Sequence, residues 1–175
     1  MPVPERARLV TISLEGSVGP AAASLLVRGD ARPFALAGSW AGGGALVGSE
    51  PIVVGRPDDD PFALLDEQPA LDAPAGAETH GGAAHAVGGG WFGWFGYGLG
   101  RRLEPVPPPP PRPLPQPPFA LAFYDHLLRL DSAGQWWFEA LWSDEREHEL
   151  ETRLGILSRR LAAGVERLPA WVGTL

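Results

Sequence analysis

The segment from Gly88 to Glu104, GGGWFGWFGYGLGRRLE, constrains the fold of this chain more than any other stretch. It interleaves five aromatic side chains with seven glycines and ends on two arginines, a leucine and a glutamate. Aromatic side chains bury large apolar areas, and glycine lets a neighbouring backbone approach where a Cβ would collide. The segment therefore predicts a tightly packed internal piece of a globular core, not a surface loop.

The composition excludes several kinds of chemistry. A chain of 175 residues, 45% hydrophobic and 20% charged, can form one soluble domain with a sizeable core. It has no lysine, which excludes a Schiff-base lysine, a pyridoxal-phosphate anchor and a Walker-type phosphate loop. It also has no cysteine, which excludes thiol nucleophiles, disulfides and sulfur-ligated zinc.

Charge and hydropathy indicate the compartment in which the chain is found and the partners that it does not bind. The formal net charge of -7 disfavours binding to the phosphate backbone of nucleic acids. The longest apolar stretch, residues 88–99, is too short and too rich in glycine to span a bilayer, and no secretory signal pattern opens the chain. We expect a cytoplasmic protein that binds neither nucleic acid nor membrane.

Short apolar, β-branched runs separated by turn residues predict an α+β fold. We expect mostly antiparallel short strands that form a curved sheet or sandwich, with a few flanking helices. The predicted strands are residues 8–14, 33–38, 45–48, 51–55, 119–125, 126–130 and 135–142. The Ser132-Ala133-Gly134 turn predicts a hairpin between the last two.

Three helices are predicted, over residues 20–27, 61–67 and 144–163. Asp60 before Pro61 is a favourable start for the second, and Ser143 before an acidic turn is a favourable cap for the third. Two other segments are predicted to be irregular. The proline-rich stretch 105–118 must form an extended connector, and residues 72–81 form a mobile loop.

Several polar clusters admit a functional and a structural interpretation. His80 and His85 share a loop in which two imidazoles could hold a metal, and the run 58–60 of three aspartates could bind magnesium. The first pair lacks a third ligand of suitable spacing, and the aspartates suit an exposed turn before a capped helix. We therefore interpret both as structural and predict no metal site.

Three further motifs also have a functional and a structural interpretation. Gly98-Leu99-Gly100 lacks the third glycine of a dinucleotide fingerprint, which favours packing. The run 112–118, RPLPQPP, fits an adaptor ligand but is more typical of a stiff connector. Tyr124-Asp125-His126 places a base beside a carboxylate, yet neighbours on a strand point to opposite faces and no nucleophile is near, so a hydrolase triad is rejected.

Three segments together resemble the N-terminal region of the chorismate-utilising enzymes, component I of aminodeoxychorismate synthase and of anthranilate synthase. They are PFALAGSWAGGGALVGSEPI (Pro33–Ile52), GGGWFGWFGYGLGRRLE (Gly88–Glu104) and PFALAFYDHLLRLD (Pro118–Asp131). The first resembles the family's serine-bearing turn between two strands. The second resembles its Gly-aromatic-Gly-Tyr segment, and the third its strand with a Tyr-Asp step. The resemblance spans roughly residues 7–142, and the order of the segments fits.

The resemblance implies a tentative ligand site and a preferred branch of the family. Anthranilate synthases typically carry Leu-Glu-Ser at the first turn, where it helps bind tryptophan. Ala37, Gly38 and Ser39 occupy the matching positions, so the glutamate is missing. This departure favours the aminodeoxychorismate type. An aromatic amino acid held near Ser39 and Trp40, by a non-catalytic regulatory module, is kept as an alternative, as is the N-terminal domain of anthranilate synthase component I.

The resemblance also implies that the catalytic site lies in another region of the full enzyme. The family's chorismate and Mg²⁺ site lies in a C-terminal region that has no counterpart in residues 1–175, so we expect this chain to be a single N-terminal domain without catalytic residues or a cofactor of its own. The full enzyme would aminate chorismate with ammonia from a glutamine amidotransferase partner, for p-aminobenzoate and folate synthesis. We expect the chain alone to be inactive and to associate with the chorismate-binding region.

Overall fold

A computed structural model describes residues 2–72, 85–102, 104, 107 and 116–165. These residues form two β-sheets of mostly antiparallel strands and a few helices, so the predicted α+β class is confirmed. The predicted loop at 72–81, apart from Asp72, and most of the connector at 105–118 lie outside the described residues.

The larger sheet has six strands in the order β2-β3-β8-β9-β1-β5. Their bounds are β1 Arg6–Leu14, β2 Phe34–Trp40, β3 Gly43–Gly48, β5 Ala70–Leu71, β8 His126–Asp131 and β9 Trp136–Trp142. The pairs are antiparallel except for β1 with β5. The hairpin β8–β9 forms as the sequence predicts, and β2 and β3, both predicted as strands, form a second antiparallel hairpin.

The smaller sheet has three strands in the order β4-β7-β6. Their bounds are β4 Val53–Val54, β6 Gly90–Phe95 and β7 Phe119–Tyr124. Asp125 alone separates β7 from β8, so the chain passes from the smaller sheet to the larger one within a single residue. The strand predicted at 51–55 is shorter than expected, although the backbone N–H groups of Ile52 and Gly55 also donate to β7 carbonyls.

The helices are short except for the last. They are a 3-10 helix at Pro20–Val27, α1 at Pro61–Asp66, 3-10 helices at Tyr97–Arg102 and Asp144–Arg146, and α2 at Glu147–Ala163. The Asp60 side chain accepts from the Phe62 amide at 3.0 Å, as a cap should. The Ser143 cap is wrong: its hydroxyl makes no capping bond and is buried without a partner among the described residues, because a 3-10 turn separates it from α2.

The main core lies between the larger sheet and α2. Leu150, Leu157 and Leu161 are at most 2% exposed and pack against Leu128, Phe138 and Trp136 of the central strands. The 3-10 helix at Pro20–Val27 closes the same core through Leu26 and Val27. Burial of these side chains, worth roughly 1.5–3 kcal/mol each, fixes α2 on this face of the sheet.

The interior position predicted for residues 88–104 is wrong for the last three of its five rings. Trp94 is 45% exposed, Phe95 46% and Tyr97 96%, because β6 is an edge strand and little of the described chain covers its end. The prediction holds for the glycines: a Cβ on Gly89 would lie 2.3 Å from the Tyr124 carbonyl oxygen. The segment therefore packs tightly through its backbone while its last rings face solvent.

A buried ion pair holds the start of this segment against the larger sheet. Arg129 on β8 donates to Glu139 on β9 at 2.5 Å, and both side chains are at most 1% exposed. The second carboxylate oxygen accepts from the amides of Val87 and Gly88 at 2.7 and 3.1 Å. Glu139 thus holds the residues just before β6 against the larger sheet.

Replacing Glu139 by glutamine is expected to destabilise the protein by about 2 kcal/mol, because the buried arginine loses its carboxylate. The amides of Val87 and Gly88 should exchange with solvent faster, since an amide oxygen accepts more weakly than a carboxylate. Urea unfolding and hydrogen exchange measure the two effects. Glu151→Gln, at an exposed position of α2, is the control and should change neither; equal effects of the two substitutions would contradict this role.

Candidate binding cleft

A cavity of about 460 Å³ lies between the smaller sheet and the residues that lead into β2. Side chains alternate along a strand, so Phe92 and Trp94 of β6 share one face with Ala120, Ala122 and Tyr124 of β7, and all five line the cavity. The two alanines leave space between aromatic neighbours. The result is a cleft with a floor of small side chains and walls of rings.

Three of the rings pack on one another at one end of this cleft. Phe34 stacks on Phe92 with ring centroids 4.2 Å apart and meets Tyr124 edge-on at 4.8 Å. Trp94, on the same face of β6, is not in ring contact with any other aromatic among the described residues. The cleft therefore has one fixed aromatic wall and one indole face that is partly open.

Arg32 stands beside the cleft in a strained backbone conformation. Its φ of 45° lies in the left-handed region, which costs a residue other than glycine about 1–3 kcal/mol. The Tyr124 hydroxyl donates to the Arg32 carbonyl at 2.8 Å. Ala31 and Glu50 add two further bonds, one in each direction, both of 2.9 Å. The surrounding hydrogen bonds therefore hold the backbone at Arg32 in place.

Arg32 gives the cleft a positive charge. Arg32 is its one charged lining residue among those described, and no carboxylate of the described chain lies within 4.0 Å of its guanidinium. Burial raises the pKa of the Tyr124 hydroxyl above 10.0, and the nearby Arg32 charge offsets only part of that rise. The tyrosine is therefore neutral at physiological pH and acts as a hydrogen-bond donor.

The predicted ligand residues Ser39 and Trp40 lie elsewhere. They are at the opposite end of β2 from Phe34, where the pairing with β3 is irregular, and Trp40 is 48% exposed. Ser39 is exposed as well. The structure does not bring these two residues to the cleft, and a ligand held by them stays a prediction.

Asp125 and His126 form a closed buried pair. Because Asp125 lies at the break between the two sheets, the alternation expected along a strand does not apply, and its carboxylate meets His126 Nδ1 at 2.7 Å. The prediction that these two side chains point to opposite faces is therefore wrong. The other imidazole nitrogen faces Arg153 Nε at 3.3 Å, and Asp125 also accepts from Arg146 at 2.9 Å. Both nitrogens are engaged, so the imidazole is not placed as a catalytic base.

The other predicted clusters have structural partners. Asp59 accepts from the Arg56 amide at 2.7 Å within the turn that precedes the capped α1 helix. His80 lies outside the described residues, while the His85 ring packs against Gly42. Among the described residues no three His, Asp or Glu side chains are grouped as metal ligands would be. These residues therefore do not fit the Mg²⁺ that the family resemblance implies for the full-length enzyme.

Sequence reasoning missed the residues that build the cleft. Arg32 and Phe34 belong to one segment, whereas Phe92 and Tyr124 come from two others far along the chain, and no short motif links the three segments. The strained turn at Arg32 has one faint signal, the Asp30-Ala31-Arg32-Pro33 run before a strand. That run predicts a turn but not which side chain faces the smaller sheet.

Comparison with protein-family models and with curated proteins finds no match for this chain. The likeness to the chorismate-utilising enzymes therefore depends on the three segments quoted above. Over the described residues, no helix combines the length and the apolar character needed to cross a bilayer.

Proposed function

We propose that the chain is the cytoplasmic N-terminal portion of component I of aminodeoxychorismate synthase. It is the non-catalytic part of an enzyme that aminates chorismate at C4 with ammonia from a glutamine amidotransferase. One observation carries the proposal: the three segments of the resemblance occupy neighbouring strands. The first forms β2 and β3, the second β6, and the third β7 and β8; β3 pairs with β8 and β6 pairs with β7.

An exposed apolar surface supports a role as part of a larger assembly. Phe62, Leu65, Phe95 and Tyr97, here called the docking face, are each at least 36% exposed, and the rings of Phe62 and Phe95 stack at 6.3 Å. Because Phe95 and Tyr97 are exposed, these rings are not interior to the chain itself. It favours the docking face as a contact surface, since soluble proteins seldom leave such clusters uncovered. We assign the chorismate-binding region to it.

The backbone favours the aminodeoxychorismate branch over the anthranilate branch. Gly38 stands where anthranilate synthases typically have glutamate, and its φ is 127°. A residue with a Cβ adopts this conformation only with strain. A glutamate at position 38 would therefore be strained in β2. This supports a turn without the glutamate that helps bind tryptophan in anthranilate synthases.

Two assays test the proposal. The chain alone, with chorismate, Mg²⁺ and ammonia, should give no turnover. Mixed with a purified chorismate-binding region of aminodeoxychorismate synthase component I, it should form a one-to-one complex by size exclusion with light scattering. Turnover by the chain alone, or the absence of a complex, would contradict the proposal.

The docking face itself is tested by Phe95→Ser, which removes a ring that the proposal places in the contact. Loss of a central aromatic contact is expected to weaken association by about 30-fold or more. The control is Leu71→Ser, which removes an exposed apolar side chain from β5 of the other sheet. Equal affinities for the two variants would exclude the docking face.

A further inference from the structure

The cleft beside Arg32 has the features of a small-molecule site that is separate from the docking face. Side chains alternate along β6, so Trp94 and Phe95 point to opposite faces of the smaller sheet. Phe95 packs with Phe62 of the docking face, whereas Trp94 lines the cleft. A ligand in the cleft would therefore not compete directly with a partner on the docking face.

The walls of the cleft suit a flat ring. Ala120 and Ala122 open a space beside Phe92 and Trp94, and the indole of Trp94 is 45% exposed. Aromatic rings stack favourably with centroids roughly 4.5–7 Å apart, and Trp94 lacks such a partner within the described chain. A volume of about 460 Å³ falls in the lower part of the range for ligand pockets, which fits one or two fused rings.

The charge of the cleft specifies the polar group of the ligand. Among the residues that the structure describes, Arg32 carries the one charge of the cleft, and its planar guanidinium matches a carboxylate in a two-point hydrogen bond. The chain as a whole carries a net charge of -7, so no general attraction draws anions to its surface. An anion bound here would be recognised by this one side chain.

The backbone at Arg32 is also held in place before any ligand arrives. The Tyr124 hydroxyl holds its carbonyl oxygen, and Glu50 holds the preceding residue, Ala31, through both its backbone amide and its carboxylate. A strained residue that is held by several independent bonds is a frequent sign of a functional position. The backbone that carries the guanidinium therefore needs no reordering on binding.

We propose that the cleft binds a planar aromatic carboxylate, with its ring between Phe92 and Trp94 and its carboxylate on Arg32. This site is distinct from the predicted Ser39 and Trp40 site. It requires neither the chorismate-binding region nor the proposed enzyme activity, so it can fail or succeed independently of them.

The probe is 2-naphthoate, titrated into the full chain by isothermal calorimetry. A ligand of this size is expected to bind with a Kd of about 0.1–1 mM. The neutral isostere 2-naphthalenemethanol should bind about 10-fold more weakly, because it lacks the charge that Arg32 pairs with. Absence of heat with 2-naphthoate well above that range, or equal binding of both compounds, would overturn the proposal.

Matched variants locate the site. Arg32→Gln should weaken 2-naphthoate binding about 10-fold, whereas Arg28→Gln, at an exposed arginine outside the cleft, should leave it unchanged. Ala120→Leu fills the floor of the cleft and should abolish binding, while Ser39→Ala should have no effect. Thermal melts confirm that each variant is folded. Equal affinities for the two arginine variants, or loss of binding in Ser39→Ala, would place the ligand elsewhere.

Discussion

Gly93→Ala is expected to separate β6 from β7 and to destabilise the protein by about 3 kcal/mol. A Cβ at this position would lie 1.8 Å from the Ala120 carbonyl oxygen and 2.8 Å from its carbonyl carbon. Both atoms belong to the backbone of the paired strand, so no side-chain rotation relieves the collision. The strands must move apart, which breaks the antiparallel ladder around Gly93 and Leu121.

Urea unfolding measures this loss, and hydrogen exchange of the β6 and β7 amides shows where it acts. The control is Gly98→Ala, because no atom of the described residues lies within 4 Å of a Cβ built on Gly98. That variant should stay within about 0.5 kcal/mol of the wild type. If both variants unfold at the same urea concentration, the close approach of β6 to β7 is not what requires glycine here.

The local elements of this fold were predictable because each has its own short-range signal. The Asp60-Pro61 start gives α1, and the turn before Gln135 gives the β8–β9 hairpin, where the Asp131 side chain accepts from two backbone amides at 2.9 Å. Asp131, Ser132 and Gly134 are the residues such a turn requires. Signals of this kind depend only on a few neighbouring residues, so they can be recognised without knowledge of the rest of the fold.

The order of the strands was not predictable, because long-range pairing has no local signature. β1 pairs with β9 over seven residue pairs, from Arg8 with Trp142 to Leu14 with Trp136. Nothing in either strand specifies the other beyond apolar character. The step from one sheet to the other at Asp125 is equally hidden, since a continuous apolar run gives no indication that it serves two sheets.

The lack of a local signal for long-range contacts also explains two errors: the interior position predicted for the rings of residues 88–104, and the overlooked Arg32 of the cleft. The glycines of residues 88–104 were interpreted correctly, because glycine is the residue that permits close approach of a neighbouring backbone. The rings were placed inside because aromatic residues usually are, and sequence gives no information about which end of an edge strand is covered. Arg32 was overlooked because its importance comes from Tyr124, 92 positions away in the chain.

The second large effect is expected at Asp30, which joins α2 to the rest of the core. Its side chain is 5% exposed and accepts from Arg153 at 2.7 Å, from Arg160 at 2.8 and 2.9 Å, and from the Ser49 hydroxyl at 2.8 Å. Asp30→Asn leaves two guanidinium groups without their carboxylate. We expect a loss of about 3 kcal/mol, at the low end for a buried pair because Arg160 is partly in water.

The pH dependence of stability separates this charge effect from simple packing. Burial would raise the pKa of Asp30, but hydrogen bonds from Arg160, Arg153 and Ser49 outweigh it and hold the pKa well below its usual 3.8. The unfolded state therefore binds the proton first as the pH falls. The stabilisation is fully present above about pH 5 and is lost progressively below the unfolded pKa.

Urea unfolding of the wild type and Asp30→Asn at pH 7 and pH 3 checks both statements. The difference in unfolding free energy should be large at pH 7 and clearly smaller at pH 3, where the unfolded wild type has taken up its proton. Asp58→Asn, at an exposed aspartate, should match the wild type at both pH values. A difference that does not change with pH would show that Asp30 acts through its shape, and that α2 is held by apolar packing instead of by this carboxylate.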